Sequence, residues 1–296
     1  MKPPPFEYYR ATTVEEATAL LGQYGPDAKV LAGGQSLLPM LKFRLARPSV
    51  LVDLSRVREL AYVRQVNGSV AFGAMARLAD LESDQVRARC PMLAEVAHDI
   101  GHPAIRHRGT VCGSLAHADP AAELPVLALA LDAELVATGP TGVRVIPAQD
   151  FFVTLLTTSL GPSEILTEAR FPVLPSESGW GFSELSRRPG DFALVAAAAL
   201  LRVGASGTIT HARIALGAVA DRAMRCPEAE AMLLGQMGGK TAFEAAAAQA
   251  AAPLTPPADL HASSSYRRHL ARVLVERALT QAWQRLGSTH ASPASA

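Results

Sequence analysis

The glycine pair Gly33 and Gly34 constrains this chain more than any other sequence feature. It lies between a short apolar run ending at Ala32 and a predicted helix over 37–45, with Ser36 as a suitable N-cap. Glycine adopts backbone angles closed to other residues and has no Cβ to block a ligand. The free N–H groups of such a turn favour an anion such as phosphate or pyrophosphate. The other interpretation, a strand-to-helix turn that merely needs glycine, is favoured on this stretch alone.

Composition narrows the classes of protein that the chain can be. At 296 residues it has room for two or three domains, and 49% apolar with 19% charged residues is typical of a soluble globular protein. A net charge of +1 indicates neither a nucleic-acid nor an acidic-membrane partner. We expect no membrane span and no signal peptide. Three widely spaced cysteines predict no disulfide framework, exclude a four-cysteine iron–sulfur cluster within this chain and fit the cytoplasm.

Turn and linker signals divide the chain into segments. Thr13 followed by Glu16 predicts the start of a helix, and further helices are predicted over 78–84 and 92–100. The dipeptide Asn67-Gly68 joins two predicted strands and is a strong hairpin signal. Prolines, serines and a glycine within 172–179 indicate a linker, after which the pattern changes to three strands followed by helices. The predicted segments are an α/β unit over 1–55, a second α/β unit over 56–177, a C-terminal domain over 178–287 and a disordered tail over 288–296.

A second glycine motif lies within 101–120, the longest stretch dense in Gly, Pro, Arg and His. Thr110 and Ser114 can donate hydrogen bonds there, and Gly113 permits close backbone approach. Two such turns in one domain suggest a ligand with two phosphates, FAD or NAD, held between two subdomains. Two unrelated loops are the alternative. A G-x-G-x-x-G pattern after a strand is absent, so a dinucleotide would bind through another fold than the Rossmann fold.

Several charged residues near this motif have both a functional and a structural interpretation. Glu123 could accept a hydrogen bond from a ribose or adenine edge, or serve only as a helix-start carboxylate. Arg106 and Arg108 could offset phosphate charge, although a solvated or structural role is the default. His98 and His102 have a metal-binding spacing, but a glycine and a proline interrupt the helix, and we expect no metal.

The start of the C-terminal domain offers a further candidate. Arg187 and Arg188 lie near Asp191 and could form a buried ion pair at a domain junction. Phe192 could face a planar ring, with core packing as the safer interpretation. No nucleophile motif appears, and we assign no catalytic residue.

These stretches together resemble the flavoprotein (medium) subunit of the molybdenum hydroxylases. This group is similar to the FAD subunit of carbon monoxide dehydrogenase and the FAD domain of xanthine dehydrogenase. The resemblance runs from about residue 6 to about residue 286. The stretches that carry it are FEY at 6–8, LAGGQSLLPM at 31–40, LVDL at 51–54, IRHRGT at 105–110, SLAHADPAAELP at 114–125, Arg187-Arg188 with Asp191, and ALGAV at 215–219.

The resemblance implies an α+β fold: a vanillyl-alcohol-oxidase-like FAD-binding domain of two α/β subdomains, followed by a three-stranded antiparallel sheet with a helical bundle. It implies FAD as cofactor, Glu123 as an acid that contacts it, and Ile100 and Leu166 packing against the isoalloxazine. Phe192 occupies a position that is often aromatic near the flavin. The implied pyrophosphate loops are Ala32, Gly33, Gly34, Gln35 and Ser36 with the adjoining Leu37, and Thr110, Val111, Gly113 and Ser114.

The chain departs from the family pattern at two positions. Cys112 replaces the first glycine of a second loop that usually reads Gly-Gly-Asn or Gly-Gly-Ser. That cysteine could be tolerated with ordinary backbone angles, shift the loop, or present a thiol near the flavin. Ser183 replaces a lysine of xanthine dehydrogenase, so no cationic flavin contact is assigned there.

The function that the resemblance implies is electron transfer. An iron–sulfur small subunit would pass electrons to FAD, a molybdenum-cofactor large subunit would oxidise the substrate, and an external acceptor would receive the electrons, in a dimer of heterotrimers. Such a protein positions and tunes its cofactor and needs no acid, base or nucleophile of its own. The alternatives are a self-contained flavin oxidase of the vanillyl-alcohol-oxidase type, a non-catalytic nucleotide-binding module, and a domain whose glycine turns bind nothing.

Overall fold

Three parallel strands form the first sheet. The computed structural model describes residues 2–290. The first elements are strand β1 (Glu7–Arg10), helix α1 (Val14–Tyr24), strand β2 (Ala28–Leu31), helix α2 (Leu37–Lys42) and strand β3 (Val50–Asp53). The strands pair in the order β1-β3-β2, all parallel. The glycine pair therefore follows the carboxyl end of an edge strand.

The two helices of this part begin and end for local reasons. Oγ1 of Thr13 accepts a hydrogen bond from N of Glu16 at 3.1 Å, which caps α1 where the sequence predicted a helix start. Helix α2 ends at Lys42, earlier than the predicted Leu45. Arg44 has a φ of +57°, and a left-handed residue cannot continue a right-handed helix.

Five antiparallel strands form the second sheet, in the order β4-β5-β10-β6-β7. They are β4 (Val63–Val66), β5 (Ser69–Gly73), β6 (Glu134–Gly139), β7 (Gly142–Pro147) and β10 (Ile165–Pro172). Asn67 and Gly68 have φ values of +47° and +76° between β4 and β5, so the predicted hairpin is confirmed. A small hairpin, β8 (Phe152–Thr154) with β9 (Thr157–Thr158), was not predicted.

Short helices connect or follow the strands of the second sheet. They are α3 (Asp84–Arg87), α4 (Pro91–Val96), α5 (Pro103–Arg106), α6 (Val111–His117), α7 (Glu123–Ala130) and α8 (Ala148–Phe151), with 3-10 turns at Gly25–Asp27, Arg58–Leu60 and Leu78–Glu82. The helices predicted over 78–84 and 92–100 are thus shorter and more irregular than expected. Pro91 starts α4, because proline fits the first helical turn, and the chain leaves the helix after Val96.

The C-terminal sheet has four strands, so the predicted three-stranded sheet is wrong by one strand. The elements are β11 (Ser178–Ser186), β12 (Ala193–Val203), β13 (Ile209–Gly217), β14 (Met224–Arg225) and helices α9 (Pro227–Leu233), α10 (Lys240–Ala251) and α11 (Ser264–His290). Strand β14 has only two residues and pairs with Ala215 and Leu216 of β13. Two residues are too few to show the alternating pattern by which a strand is predicted. Helix α11 continues through 288–290, part of the predicted tail, and 291–296 lie outside the described residues.

Two hydrophobic cores meet at the C-terminal sheet. Strand residues alternate between the two faces of a sheet. Trp180, Ala198 and Leu200 join the core shared by the first two sheets, whereas Val195 and Leu201 join the core beneath α10 and α11. The C-terminal sheet therefore packs on the second sheet's helices with one face. Within residues 2–290, no helix is long and apolar enough to span a membrane.

Candidate functional site

The glycine pair lies in the turn between β2 and α2. Gly34 has a φ of +72°, a left-handed conformation that side chains disfavour. Gly33 is required for a different reason, because a Cβ built on it would lie 2.3 Å from the carbonyl oxygen of Arg108 and 2.7 Å from Cα of Gly109. The first glycine motif is therefore packed directly on the segment that carries the second.

The second motif, which was predicted as a glycine turn, is the first turn of a helix. Thr110 has extended backbone angles, and its Oγ1 accepts a hydrogen bond from N of Gly113 at 3.1 Å, which caps α6. Gly113 faces the first motif, since a Cβ built on it would lie 3.8 Å from the Cβ of Ala32. The structure thus brings both glycine motifs, one from each of the first two sheets, into contact.

The rest of the first loop forms its own turn. The side-chain amide of Gln35 donates to the carbonyl of Gly33 at 3.4 Å. Ser36 precedes α2 but its side chain makes no capping hydrogen bond, so that part of the prediction is wrong. The backbone of Ser36 is already helical and N of Leu38 bonds the carbonyl of Gly34, whereas a side-chain cap needs an extended residue. Ala32 and Leu37 are half-buried beside this turn.

The predicted apolar contacts differ in accessibility. Ile100 and Leu166 are 7% and 4% exposed, within the core shared by the first two sheets. Val111, the first residue of α6, is fully buried, whereas Ser114 of the same helix is half-buried. Phe192 is 63% exposed, so its core-packing interpretation is wrong. The structure therefore leaves the aromatic ring of Phe192 open to a ligand or a partner.

The charge of Glu123 on α7 acts on Glu184 on β11, and the charge of Asp99 acts on both. Glu123 is 6% exposed, and burial raises its pKa to about 7, with Asp99 and Asp119 adding to the shift. Burial raises the pKa of Glu184 to about 8, helped by the charges of Glu123 and Asp99. Within the described residues, Oε2 of Glu184 is buried without a hydrogen-bond partner. Asp99 and Glu184 could not be identified from the sequence, because only the fold brings their charges near Glu123.

The arginine nearest to the second motif in sequence has a structural role. Arg106 is 8% exposed, its Nε donates to Glu82 at 2.6 Å, and its Nη1 donates to the carbonyls of Ile100 and Gly101 at 3.3 and 2.8 Å. Its guanidinium is therefore committed to protein partners, which contradicts the phosphate-binding interpretation. Arg77, which sequence analysis missed, donates from its guanidinium to the carbonyl of Arg108.

The predicted ion pair at the start of the C-terminal domain is not formed. Arg187, Arg188 and Asp191 are all exposed, and Nη1 of Arg187 meets Nδ1 of His261 at 3.1 Å instead. Exposure explains the difference, because water solvates all three charges and leaves little gain from pairing them.

Two further candidates concern cysteine and metal chemistry. The Sγ of Cys112 lies 3.5 Å from the carbonyl of Phe72, so the thiol faces β5, and burial strongly raises its pKa. Cys112 lies within regular α6, so it leaves the helix intact. Among the described residues, no group of three or more His, Cys, Asp or Glu side chains could hold a metal, including those around His98 and His102.

The fold and the contact between the two glycine motifs define a class: a protein with a parallel and an antiparallel sheet whose flanking segments meet at glycine motifs, followed by a third, antiparallel sheet. A family model described as the FAD binding domain in molybdopterin dehydrogenase matches residues 4–174, and one described as the CO dehydrogenase flavoprotein C-terminal domain matches 180–282.

Relatives match over nearly the whole chain. The chain is 44% identical to the 6-hydroxypseudooxynicotine dehydrogenase complex subunit alpha of Paenarthrobacter nicotinovorans, over 99% of each chain. It is 43% identical to the carbon monoxide dehydrogenase medium chain of Hydrogenophaga pseudoflava, over 96% of this chain and 99% of the relative. The solved structure of carbon monoxide dehydrogenase from Hydrogenophaga pseudoflava matches with a TM-score of 0.94 at 44% identity, covering 96% of this chain and 99% of that one.

The chain belongs to the family of FAD-binding medium subunits of the molybdenum hydroxylases. Its cofactor is FAD, and its mixed fold of helices and strands is that of the carbon monoxide dehydrogenase medium chain.

Proposed function

We propose that this chain carries FAD between its first two α/β units and transfers electrons within a molybdenum-containing dehydrogenase complex. One observation supports the location: Gly33 lies so close to the backbone of Arg108 and Gly109 that no side chain fits between them. Backbone groups of the turn after β2 and of the segment before α6 meet there with little side-chain bulk, as close approach to a pyrophosphate requires.

The residues around this contact fit such a cofactor. One side of the pyrophosphate would be bound by Ala32, Gly33, Gly34, Gln35, Ser36 and Leu37. The other side would be bound by Thr110, Gly113, Ser114 and the buried Val111. The hydroxyl of Thr110 keeps its proton free to donate, because its oxygen accepts from Gly113. The buried, unpartnered Oε2 of Glu184 is available to a polar group of the cofactor.

Further contacts would orient the ring system. Glu123 would hold a polar edge of FAD, Ile100 and Leu166 would line an apolar wall, and Phe192 would cover an open side. Bound FAD supplies one- and two-electron redox chemistry. The chain itself then positions the ring, tunes its surroundings and limits the access of water.

The names of the relatives, a complex subunit and a medium chain, support a multi-subunit complex. We infer that electrons arrive from an iron–sulfur small subunit and ultimately from a molybdenum-cofactor large subunit, and leave to an external acceptor, in a dimer of heterotrimers. The segments 1–55, 56–177 and 178–287 would be two subdomains of a vanillyl-alcohol-oxidase-like domain and a C-terminal domain. Three free, buried cysteines fit the reducing cytoplasm. Matches to subunits along the whole chain do not favour a self-contained oxidase.

The location of the cofactor is tested with Gly33→Ala. The added Cβ would collide with backbone, so we expect the purified full-length variant to retain little FAD while keeping its circular dichroism spectrum. Gly22→Ala is the matched control, because its Cβ would meet only Oγ of Ser163 at 3.6 Å. Equal flavin content in both variants would contradict the proposed location.

The role in a complex is tested by co-expression with the neighbouring reading frames. Co-purification with an iron–sulfur and a molybdenum subunit is the expected result. A flavin-loaded monomer that never associates with such subunits, and that is reduced directly by an organic substrate, would favour the oxidase instead.

A further inference from the structure

One guanidinium lies at the back of the contact between the glycine motifs. Arg77 donates from Nη1 to the carbonyl oxygen of Arg108. This is the same oxygen that would lie 2.3 Å from a Cβ on Gly33. The arginine therefore acts on the one backbone group that fixes how closely the two motifs approach.

The backbone around Arg77 already holds this segment in register. N of Leu78 donates to the carbonyl of Gly109 at 3.0 Å, and N of Val111 donates to the carbonyl of Ala76 at 3.1 Å. Arg77 itself forms a bridge with Thr110, the residue that caps α6. The guanidinium extends this pairing by one residue, to the carbonyl of Arg108, where the contact with Gly33 occurs.

The position also matters electrostatically. A carbonyl oxygen that points at an anion site carries partial negative charge and opposes the anion, unless a donor offsets it. Arg77 offsets it with a full positive charge, and no carboxylate of the described chain forms an ion pair with this guanidinium. Arg106 cannot serve, because Glu82 and two carbonyls occupy it.

Arg77 also faces a cavity at the surface. The side chain is half-buried and lines a cavity of about 490 Å³ with Ser55, Arg58, Tyr62 and Asp80, and no residue of the two glycine motifs lines that cavity. The backbone N–H of Arg77 donates to Oδ2 of Asp80 at 2.7 Å, and this bond fixes the backbone from which the side chain extends. The guanidinium is therefore held at its base and accessible at its side.

We propose that Arg77 is a positioning residue for the pyrophosphate of the cofactor: it holds the Arg108 carbonyl against Gly33 and supplies the positive charge beside the glycine contact. This inference rests on the proposed location of FAD. The ligand group that Arg77 would recognise is a diphosphate, which FAD and ADP carry and riboflavin lacks.

The test compares Arg77→Ala, Arg77→Gln and Arg77→Lys as full-length proteins freed of FAD and titrated with FAD, ADP and riboflavin. Loss of a charge-assisted hydrogen bond predicts a dissociation constant for FAD and ADP at least about tenfold higher in Arg77→Ala. Riboflavin should bind as in the wild type. Arg77→Lys should restore most of the affinity, whereas Arg77→Gln, which keeps a donor without charge, should restore less.

Arg89→Ala is the matched control, because Arg89 is half-buried like Arg77 and also donates to a backbone carbonyl, that of Gln85 at 3.1 Å. Wild-type FAD affinity in Arg77→Ala, or an equal loss of FAD and riboflavin binding, would overturn the inference. If Arg77→Ala does not fold, Arg77→Gln and Arg77→Lys decide the question alone, and equal affinities in these two exclude a role for the charge. FAD loss in Gly33→Ala but not in Arg77→Ala rejects only this inference, whereas FAD retained in both rejects the proposed location as well.

Discussion

Replacing Glu184 by glutamine should make folding less sensitive to alkaline pH. Glu184 lies on β11 against Glu123 and Asp99, and Oε2 has no partner in the described part of the chain. Burial, then the charge on Glu123, then that on Asp99 raise its pKa to about 8. Three further groups act on the neighbouring carboxylates. The charge of Asp119 raises the pKa of Glu123. At Asp99, the charge of His98 acts to lower the pKa and that of Glu95 acts to raise it.

The sign follows from proton binding. The folded chain keeps a proton on Glu184 at pH values where the unfolded chain has lost it, so the stabilisation is complete below about pH 4.5 and is lost as the pH rises towards about 8. A shift from 4.5 to about 8 corresponds to roughly 5 kcal/mol at 1.36 kcal/mol per unit. Solvent reaches part of this half-buried side chain, and Glu123 titrates with it, so about 2 kcal/mol is the better magnitude.

The assay is thermal unfolding of the FAD-free, full-length protein between pH 5 and 9. For a chain of this size, about 2 kcal/mol corresponds to roughly 4–8 °C in melting temperature. From pH 5 to pH 9, the melting temperature of the wild type should fall by that much more than the melting temperature of Glu184→Gln. At pH 9 the variant should be the more stable of the two. Glu177→Gln, in an exposed loop, is the control. Parallel pH profiles for wild type and Glu184→Gln would refute the reasoning.

Two more predictions concern α6 and the thiols. Thr110→Val removes the oxygen that caps N of Gly113. Its free energy of unfolding, measured by urea denaturation, should therefore be about 1 kcal/mol lower than that of the wild type, whereas Thr110→Ser should stay close to the wild type. Cys90, Cys112 and Cys226 are free and buried with raised pKa values, so Ellman's reagent should react with none of them in the native protein and with all three in guanidinium. Rapid reaction of one native thiol would contradict that burial.

Features that depend on a few neighbouring residues could be predicted from the sequence. Asn67-Gly68 forms the expected hairpin, Thr13 caps the expected helix, and Gly34 takes a positive φ. In each case, the residue type itself restricts the backbone or supplies the capping atom. The two glycine motifs could be identified for the same reason, although Ser36 shows that a good N-cap residue makes no cap when the turn before it is already helical.

Contacts between distant residues could not be predicted in the same way. Arg77 and Arg108 are 31 positions apart, and no local pattern pairs a side chain with a carbonyl at that distance. Proximity in sequence was also misleading: Arg106 lies beside the second motif, but it forms a partly buried ion pair with Glu82. Conversely, Glu184 comes from another sheet to meet Glu123, and only the packing of β11 on the helices of the second sheet reveals the pair.

That packing depends on the last helix of the chain. Arg285 of α11 stacks on Trp180 with Cζ 3.3 Å from the ring centroid, donates to the carbonyl of Trp180 at 2.8 Å and pairs with Glu95 at 2.8 Å. Trp180 shares a face of β11 with Glu184, and Glu95 belongs to α4, which leads to Asp99. One arginine thus ties together the two elements that bring carboxylates to Glu123. The C-terminal domain, although matched by a separate family model, therefore helps to set the charge around the proposed cofactor site.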